Sequence, residues 1–456
     1  MRKNSTYQLD RELVKKYNRQ RDTNKNKPVC LAPWKSMRFA PDGDISVCCH
    51  NHAYPIGHYP EDTPIRAWEG KAMKTLRKHL KNADFSKGCQ VCYPSFVSRN
   101  FDMVNPLLYE RYKANKHQPV ILDFKIATKC NLRCIMCAEY SSSSIRQHKH
   151  IPDRPEVYDS HFIDVIRPWI AGVKEFRFSG GEPFLSDLYL DMWKEITTCN
   201  PEALITIQTN GTILNDDIRA IMEKGNFSIN VSVDAVDKKT YENIRVGANK
   251  AHVWENIDYF SRYCRERGNF FGITACMMRD NWQEIPSLVN LANEKHAVLW
   301  INNVYFPFKN AMWLESPERL EQIIHTLENI SIQSTTECEK NNKNVYDGAI
   351  NSLKKWKTDA SRRINNSTLY INKTQFLKIF SDHIQKMPVS DKEKAVFSKK
   401  ISDVLISLKS KNIMNIFLYL ENQFKMELAM SVFKDMDKSE CYENLVMLTP
   451  HKNKSE

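Results

Sequence analysis

The sequence predicts an α/β fold: a six-stranded parallel sheet with helices between its strands, preceded by a small α+β module and followed by an all-α region. Three observations predict it. Six short β-rich runs alternate with amphipathic helical patterns between residues 120 and 306. Twelve of the thirteen glycines lie between Gly43 and Gly272, so tight turns are concentrated there. Beyond them, stretches such as "QFLKIFSDHIQKM" carry apolar residues at helical spacing.

The elements follow in order. Residues 1–29 hold nine Lys/Arg and three Asp/Glu and read as a basic extension. "PDGD" between two β-like runs is a hairpin turn signal. A helix is expected over roughly 64–82. The six strands are "VILDFKIA", "VKEFRFS", "LITIQT", "FSINVSV", "FFGITACM" and "AVLWINNVYF". Helices are expected over 161–170, 187–199, 213–224, 251–267 and 283–296. Residues 316–440 read as a helical region, and the tail "TPHKNKSE" as frayed. The domain boundaries expected are 1–29, 30–117, 118–312 and 313–456.

Composition narrows the classes. Hydrophobic residues are 42% and aromatic residues 11%, enough for real cores and against wholesale disorder. No run of about 18 apolar residues occurs, so no membrane span is expected. The first residues contain no apolar stretch of a signal peptide. The cytoplasm is the expected compartment, and there thirteen cysteines suggest metal binding more than disulfides. The net charge is +12. Residues 351–400 contribute twelve basic against four acidic side chains, which read as solvated surface or an anionic partner's footprint. These runs lack the interleaved aromatics of a nucleic-acid stacking platform.

The chemically unusual residues sit after strands one, two and three, where open α/β sheets bind ligands. "ATKCNLRCIMCAE" places Cys130, Cys134 and Cys137 on the loop after the first strand. Three thiolates on a four-iron cluster leave one iron open; a zinc site or coincidental thiols are the other readings. Upstream, Cys30, Cys48, Cys89 and Cys92 supply two single thiols and a C-x2-C pair, enough for a full cluster or a zinc ribbon.

The chain resembles the radical S-adenosylmethionine (SAM) superfamily in "KCNLRCIMC", "FSGGEPF", "TIQTNGT" and "VSVDAVDKKTYENIR", over roughly residues 118–306. The resemblance implies a partial (β/α)6 barrel. It implies a 4Fe–4S cluster on Cys130, Cys134 and Cys137 whose open iron is chelated by SAM. It implies that Gly180, Gly181, Glu182 and Pro183 receive the methionine amino group. Ser232 and Asp234 would bind ribose or the SAM carboxylate, and main chain at Met136 would hold adenine. From the residues alone, "GGEP" is also a strand-to-helix turn, and Asp234 could cap the helix near Lys238. Ala138 departs from the aromatic residue common after the third cysteine; Tyr140 comes two later.

The upstream segment looks like the SPASM/twitch module, with Trp68 and Arg77 in place. That resemblance implies one auxiliary iron–sulfur cluster on Cys30, Cys48, Cys89 and Cys92. The module normally follows the barrel, whereas here it precedes it. Cys48 is chosen over Cys49 because Gly43-x4-Cys48 matches the family spacing. His50 and His52 read as exposed loop histidines. Cys199, Cys264, Cys276, Cys338 and Cys441 read as small buried hydrophobes.

The expected activity is reductive cleavage of SAM to a 5′-deoxyadenosyl radical that abstracts a substrate hydrogen. The expected substrate is a ribosomally made peptide or a protein side chain. A sugar, nucleotide or other small molecule of cell-surface biosynthesis is the alternative, and an RNA-binding iron–sulfur or zinc module the remote one. A flavodoxin- or ferredoxin-like reductant is the expected partner. No residue can be named as general acid, base or nucleophile.

Overall fold

The computed structural model describes residues 7–21, 27–99, 101, 104–365, 372–385, 387 and 390–408. Between 413 and 448 it describes residues 413, 416, 417, 420, 426, 429, 430, 433, 434 and 436–448. The tail read as frayed lies outside the described residues.

The strands are β1 Ser36–Phe39, β2 Asp44–Ser46, β3 Gly57–His58, β4 Ile121–Ala127, β5 Glu175–Gly180, β6 Leu204–Thr209, β7 Asn226–Ser232, β8 Phe271–Met277 and β9 Val298–Asn303. Their order is β3-β2-β1-β4-β5-β6-β7-β8-β9. The six expected strands are β4 to β9, and they are neighbours in sequence order. Their connecting helices match the predicted positions closely. Among the described residues the sheet nevertheless has nine strands, because the N-terminal hairpin joins it. Strand β1 pairs parallel with β4, and β2 pairs antiparallel with β1. The hairpin turn forms at "PDGD", where Gly43 has φ +95°. A Cβ there would lie 2.4 Å from the Tyr59 carbonyl oxygen, so glycine is required.

Alternation sorts the two faces of the sheet. Register aligns Met37, Leu122, Phe176, Ile205 and Phe227 across β1, β4, β5, β6 and β7, and all are buried. Phe39, Phe124 and Phe178 form a second apolar row, with stacked centroids 5.4 and 5.0 Å apart. The row between them is polar: Arg38, Asp123, Arg177, Thr206 and Ser228. One face is therefore core and the other carries polar and charged side chains.

The N-terminal segment contains α1 Arg11–Gln20, α2 Ala32–Lys35, α3 Pro64–Glu69, α4 Lys71–Lys81 and α5 Tyr93–Val97. The helix predicted over 64–82 is two. Gly70 adopts extended backbone (φ −68°, ψ 169°) and splits it. The Arg77 guanidinium lies 4.7 Å from the Trp68 ring centroid, and its Nε donates to the Pro33 carbonyl at 2.8 Å. The described part of the basic extension is packed. Tyr17 of α1 is fully buried against Phe96 and Phe101, and Arg21 pairs with Glu110.

The remaining helices are α6 Ser143–His148, α7 His161–Ile170, α8 Asp187–Cys199, α9 Asp216–Glu223, α10 Lys238–Ile244, α11 Lys250–Glu266, α12 Ile285–Glu294, α13 Pro317–Glu328, α14 Glu337–Asn365, α15 Lys373–Gln385, α16 Asp391–Ser407 and α17 Lys438–Met447. The chain divides into two compact units. One comprises Met1–Val233, Tyr241–Thr274 and Glu294–Val298; the other comprises Asp234–Thr240, Ala275–Asn293 and Leu299–Glu456. Within the second unit, α13 packs on α14, α15 on α16, and α16 on α17. No described helix is long and apolar enough to cross a membrane.

Candidate functional site

The first-unit site starts at the carboxyl end of β4. Cys130, Cys134 and Cys137 are half-buried on the loop that follows, and no disulfide joins any cysteine among the described residues. The serine run beginning α6 clamps this loop. The Ser143 hydroxyl accepts from the Cys130 N–H at 3.0 Å, and Ser142 donates to the Leu132 carbonyl at 3.0 Å. Buried Arg146 donates to the Glu139 carbonyl (2.7 Å) and to Thr128 Oγ1 (3.0 Å). On the other side, Arg133 and Ile135 donate their N–H groups to the carbonyls of Val246 and Ile244.

The glycine pair joins β5 to this loop. Gly181 N–H donates to the Ala127 carbonyl at 3.0 Å, and Glu182 N–H to the Lys129 carbonyl at 2.8 Å. A Cβ on Gly180 would lie 2.2 Å from the Ala127 oxygen, and one on Gly181 2.2 Å from the Lys129 oxygen. Gly180 also has φ +138°. The close approach is thus to the triplet loop's own backbone. Pro183 opens a short 3-10 turn, Pro183–Leu185.

Glu182 is completely buried and its carboxylate serves the protein. It accepts from Phe184 N–H (3.2 Å), Thr209 Oγ1 (2.7 Å) and Asn210 N–H (2.7 Å). It therefore ties the end of β5 to the end of β6. Burial pushes its pKa up to about 7 despite these donors.

Two residues near the thiols were not singled out from the sequence. Asn210 Nδ2 lies 4.0 Å from Cys130 Sγ and donates to Asn131 Oδ1 at 3.0 Å. Buried Arg245 places Nη1 3.9 Å from Cys134 Sγ. Both lie inside the quoted motifs, but neither residue type has a spacing signal of its own. Ser232 is half-buried, and its hydroxyl accepts from Gln208 Nε2 at 2.7 Å. Met136 is half-buried on the same loop as the triplet. In the second unit, fully buried Asp234 accepts the Cys276 N–H at 2.7 Å. The helix near Lys238 is capped by Asp237, which accepts from Thr240 N–H at 2.8 Å, so capping is not the task of Asp234.

The second cysteine set lies in the N-terminal segment. Cys30 and Cys48 are buried, Cys89 and Cys92 half-buried, and Cys49 exposed. Cys48 lies close enough to Cys30 and Cys89 to sense their charge, while Cys49 senses Asp123, Arg38 and Arg177. Cys92 senses Cys89 and Cys49. Buried Asn51 donates to Cys89 Sγ at 3.2 Å, and the Ala32 N–H to Cys30 Sγ at 3.4 Å. His50 Nδ1 lies 3.5 Å from Cys92 Sγ, so His50 is half-buried at the site; His52 is exposed. Burial pushes the Cys89 thiol up to about 11 and Cys92 to about 12, so loading a metal must expel protons. Among the described residues, no three His, Cys, Asp or Glu side chains converge to hold a single ion. Cluster irons each take their own thiolate and need no such convergence.

The remaining cysteines divide. Cys264 and Cys441 are buried and Cys276 and Cys338 half-buried, but Cys199 is exposed, with its thiol 3.5 Å from Glu195 Oε1. The reading of Cys199 as a buried hydrophobe is corrected: it ends α8 on the solvent side.

Residues 124–292 match the Radical SAM superfamily, and residues 30–93 match SPASM, an iron–sulfur cluster-binding domain. Those two stretches thus carry a radical SAM domain and an iron–sulfur cluster-binding domain. The chain is 27% identical over 176 residues to a GTP 3′,8-cyclase of Clostridium perfringens (strain 13 / Type A), covering 38% of this chain and 51% of that protein. It is 28% identical over 150 residues to a cysteine-type anaerobic sulfatase-maturating enzyme of Clostridium novyi (strain NT), covering 30% of this chain and 39% of that protein. The chain spans about half the length of the first of these curated relatives. Among solved structures it is similar to Streptococcus suis SuiB bound to S-adenosylmethionine, with a TM-score of 0.35 and 14% identity, covering 58% of this chain and 55% of that one. The residues present suit the radical SAM cofactors. Three thiols outside any disulfide stand on one clamped loop, and the glycine pair keeps the neighbouring backbone close without side chains.

Proposed function

We propose that the chain cleaves SAM reductively and uses the resulting 5′-deoxyadenosyl radical to modify a ribosomally made peptide or a protein side chain. The observation that carries the first half is the splice between the Cys130–Cys137 loop and the Gly180–Glu182 turn. When bound, the cluster supplies the electron that splits the SAM sulfonium. Cys130, Cys134 and Cys137 would hold three irons and leave one for the amino and carboxylate groups of SAM. Glu182, buried and donor-saturated, positions Asn210 and the glycine turn rather than meeting the ligand itself. Arg245 and Asn210 place donors beside thiol sulfurs, where such groups raise a cluster's potential.

The peptide reading is supported by the SPASM match and by the sulfatase-maturating relative. A nucleotide substrate is the second reading, favoured by the relatives named GTP 3′,8-cyclase. Anaerobically reconstituted protein is incubated with dithionite, SAM and either GTP or the peptides encoded beside its gene. Mass spectrometry should show 5′-deoxyadenosine and a peptide of altered mass. Altered GTP with unchanged peptides would move the function to the second reading. Absence of 5′-deoxyadenosine from iron-replete protein would refute both.

A further inference from the structure

The polar row on the sheet carries unequal charge. Register sets Arg38 of β1 beside Asp123 of β4, and Asp123 beside Arg177 of β5. Glu175 stands two residues before Arg177 on β5 and so on the same face, and Lys125, at the irregularity in β4, lies near enough to Arg38 and Asp123 to sense both. That makes three cations against two carboxylates.

The carboxylates are not equally available. Glu175 is saturated by Arg177, whose Nε and Nη2 donate at 2.7 and 3.1 Å, by Thr206 Oγ1 at 3.4 Å, and by the Tyr112 hydroxyl. Asp123 alone faces Arg38, with Nε 3.5 Å from Oδ2. The Arg38 side chain is 5% exposed, yet its Nη1 has no hydrogen-bond partner. Lys125 forms no ion pair among the described residues; its ammonium lies 5.2 Å from the Tyr140 ring centroid. A buried guanidinium nitrogen without an acceptor is costly unless something fills the site. Burial holds the Asp123 pKa up, which weakens the one carboxylate facing Arg38, and burial with nearby Arg38 holds the Lys125 pKa down, as for a buried cation without a counter-ion.

We infer that this face binds an anionic group of the substrate, a carboxylate or a phosphate, through Arg38 and Lys125. The word substrate rests on the SAM-dependent reading; the anion site itself does not. Lys125 is also near enough to sense Cys137 of the triplet and Cys49, the exposed neighbour of Cys48. Cluster charge could draw on the same cations, so the test is made with clusters and SAM in place.

The test is calorimetric titration of the full, reconstituted chain without reductant. The probes are GTP, and a ten-residue peptide alternating glutamate with alanine. Their neutral counterparts are guanosine, and the same peptide with glutamine for glutamate. At least one anionic probe should bind tenfold or more tightly than its counterpart; which one tells phosphate from carboxylate. Lys125→Met should weaken that binding at least tenfold, and Arg38→Gln likewise where it folds. Lys355→Met, at an exposed position of α14, should leave it unchanged. Equal binding of charged and neutral probes would overturn the inference, as would wild-type binding by Lys125→Met. SAM cleavage by the same wild-type preparation is scored separately, so failure of the enzyme reading and failure of the anion site remain distinct.

Discussion

The carbonyl oxygen of Ala127 lies 2.2 Å from the position a Cβ on Gly180 would occupy. The last residue of β4 and the last residue of β5 thus meet backbone to backbone, immediately before the cysteine loop. Gly180→Ala should therefore shift this loop or fail to fold, since Gly180 also has φ +138°. The expected cost is about 2–4 kcal/mol. Thermal melting and iron analysis check it. An unchanged melting temperature with full iron content would contradict the close approach.

Cys89→Ala, Cys92→Ala protein should lose about half its iron if both sites hold 4Fe–4S clusters. It should still form 5′-deoxyadenosine yet give no finished product. Loss of both clusters together would show instead that the N-terminal site staples the fold, as a structural metal does. Iron counting and product analysis on one soluble preparation separate the two.

Glu182 gives a pH dependence. Its pKa is raised from 4.5 to about 7, so the native chain holds a proton that the unfolded chain has already released in that window. Stability from this group is complete below pH 4.5 and is lost as pH rises through 7. The gap corresponds to roughly 3 kcal/mol. Glu182→Gln cannot titrate, so the stability difference between it and wild type should change by about that much from pH 4.5 to 7.5 in cluster-free protein. Chemical denaturation at both pH values tests it. Parallel behaviour would mean the carboxyl titrates normally.

The alternating pattern made β4 to β9 readable, because each strand had its own apolar run and a helix after it. The triplet, the glycine pair and the C-x2-C pair were readable because their chemistry depends on short spacings. What could not be read was pairing across long separations. Nothing local in "SMRF" says that β1 will join β4 some 80 residues later, which also hid the row Arg38–Asp123–Arg177. Glu182 reads as a ligand-facing charge in "GGEP"; only the fold reveals that Thr209 and Asn210 take its oxygens. Arg245 and Asn51 approach thiols through tertiary placement, which no periodicity encodes.

Asn342 tests how the second unit is held. It is fully buried, accepts from the Leu299 N–H at 2.8 Å, and donates to Asn293 Oδ1 at 2.9 Å. A helix α14 side chain therefore completes the start of β9. Asn342→Ala leaves that N–H without its acceptor and should cost about 1–3 kcal/mol. Hydrogen exchange at Leu299 should accelerate with it. Unaltered exchange and stability would show that the bond contributes nothing.

The central claim is that the Cys130, Cys134 and Cys137 cluster keeps one iron open for SAM. The most direct measurement is electron paramagnetic resonance of the reduced Cys89→Ala, Cys92→Ala protein, in which this cluster is the remaining one. Adding SAM should shift its g-values, and 15N in the SAM amino group should appear as a hyperfine coupling to the cluster. A spectrum unchanged by SAM, with no 15N coupling, would contradict the account.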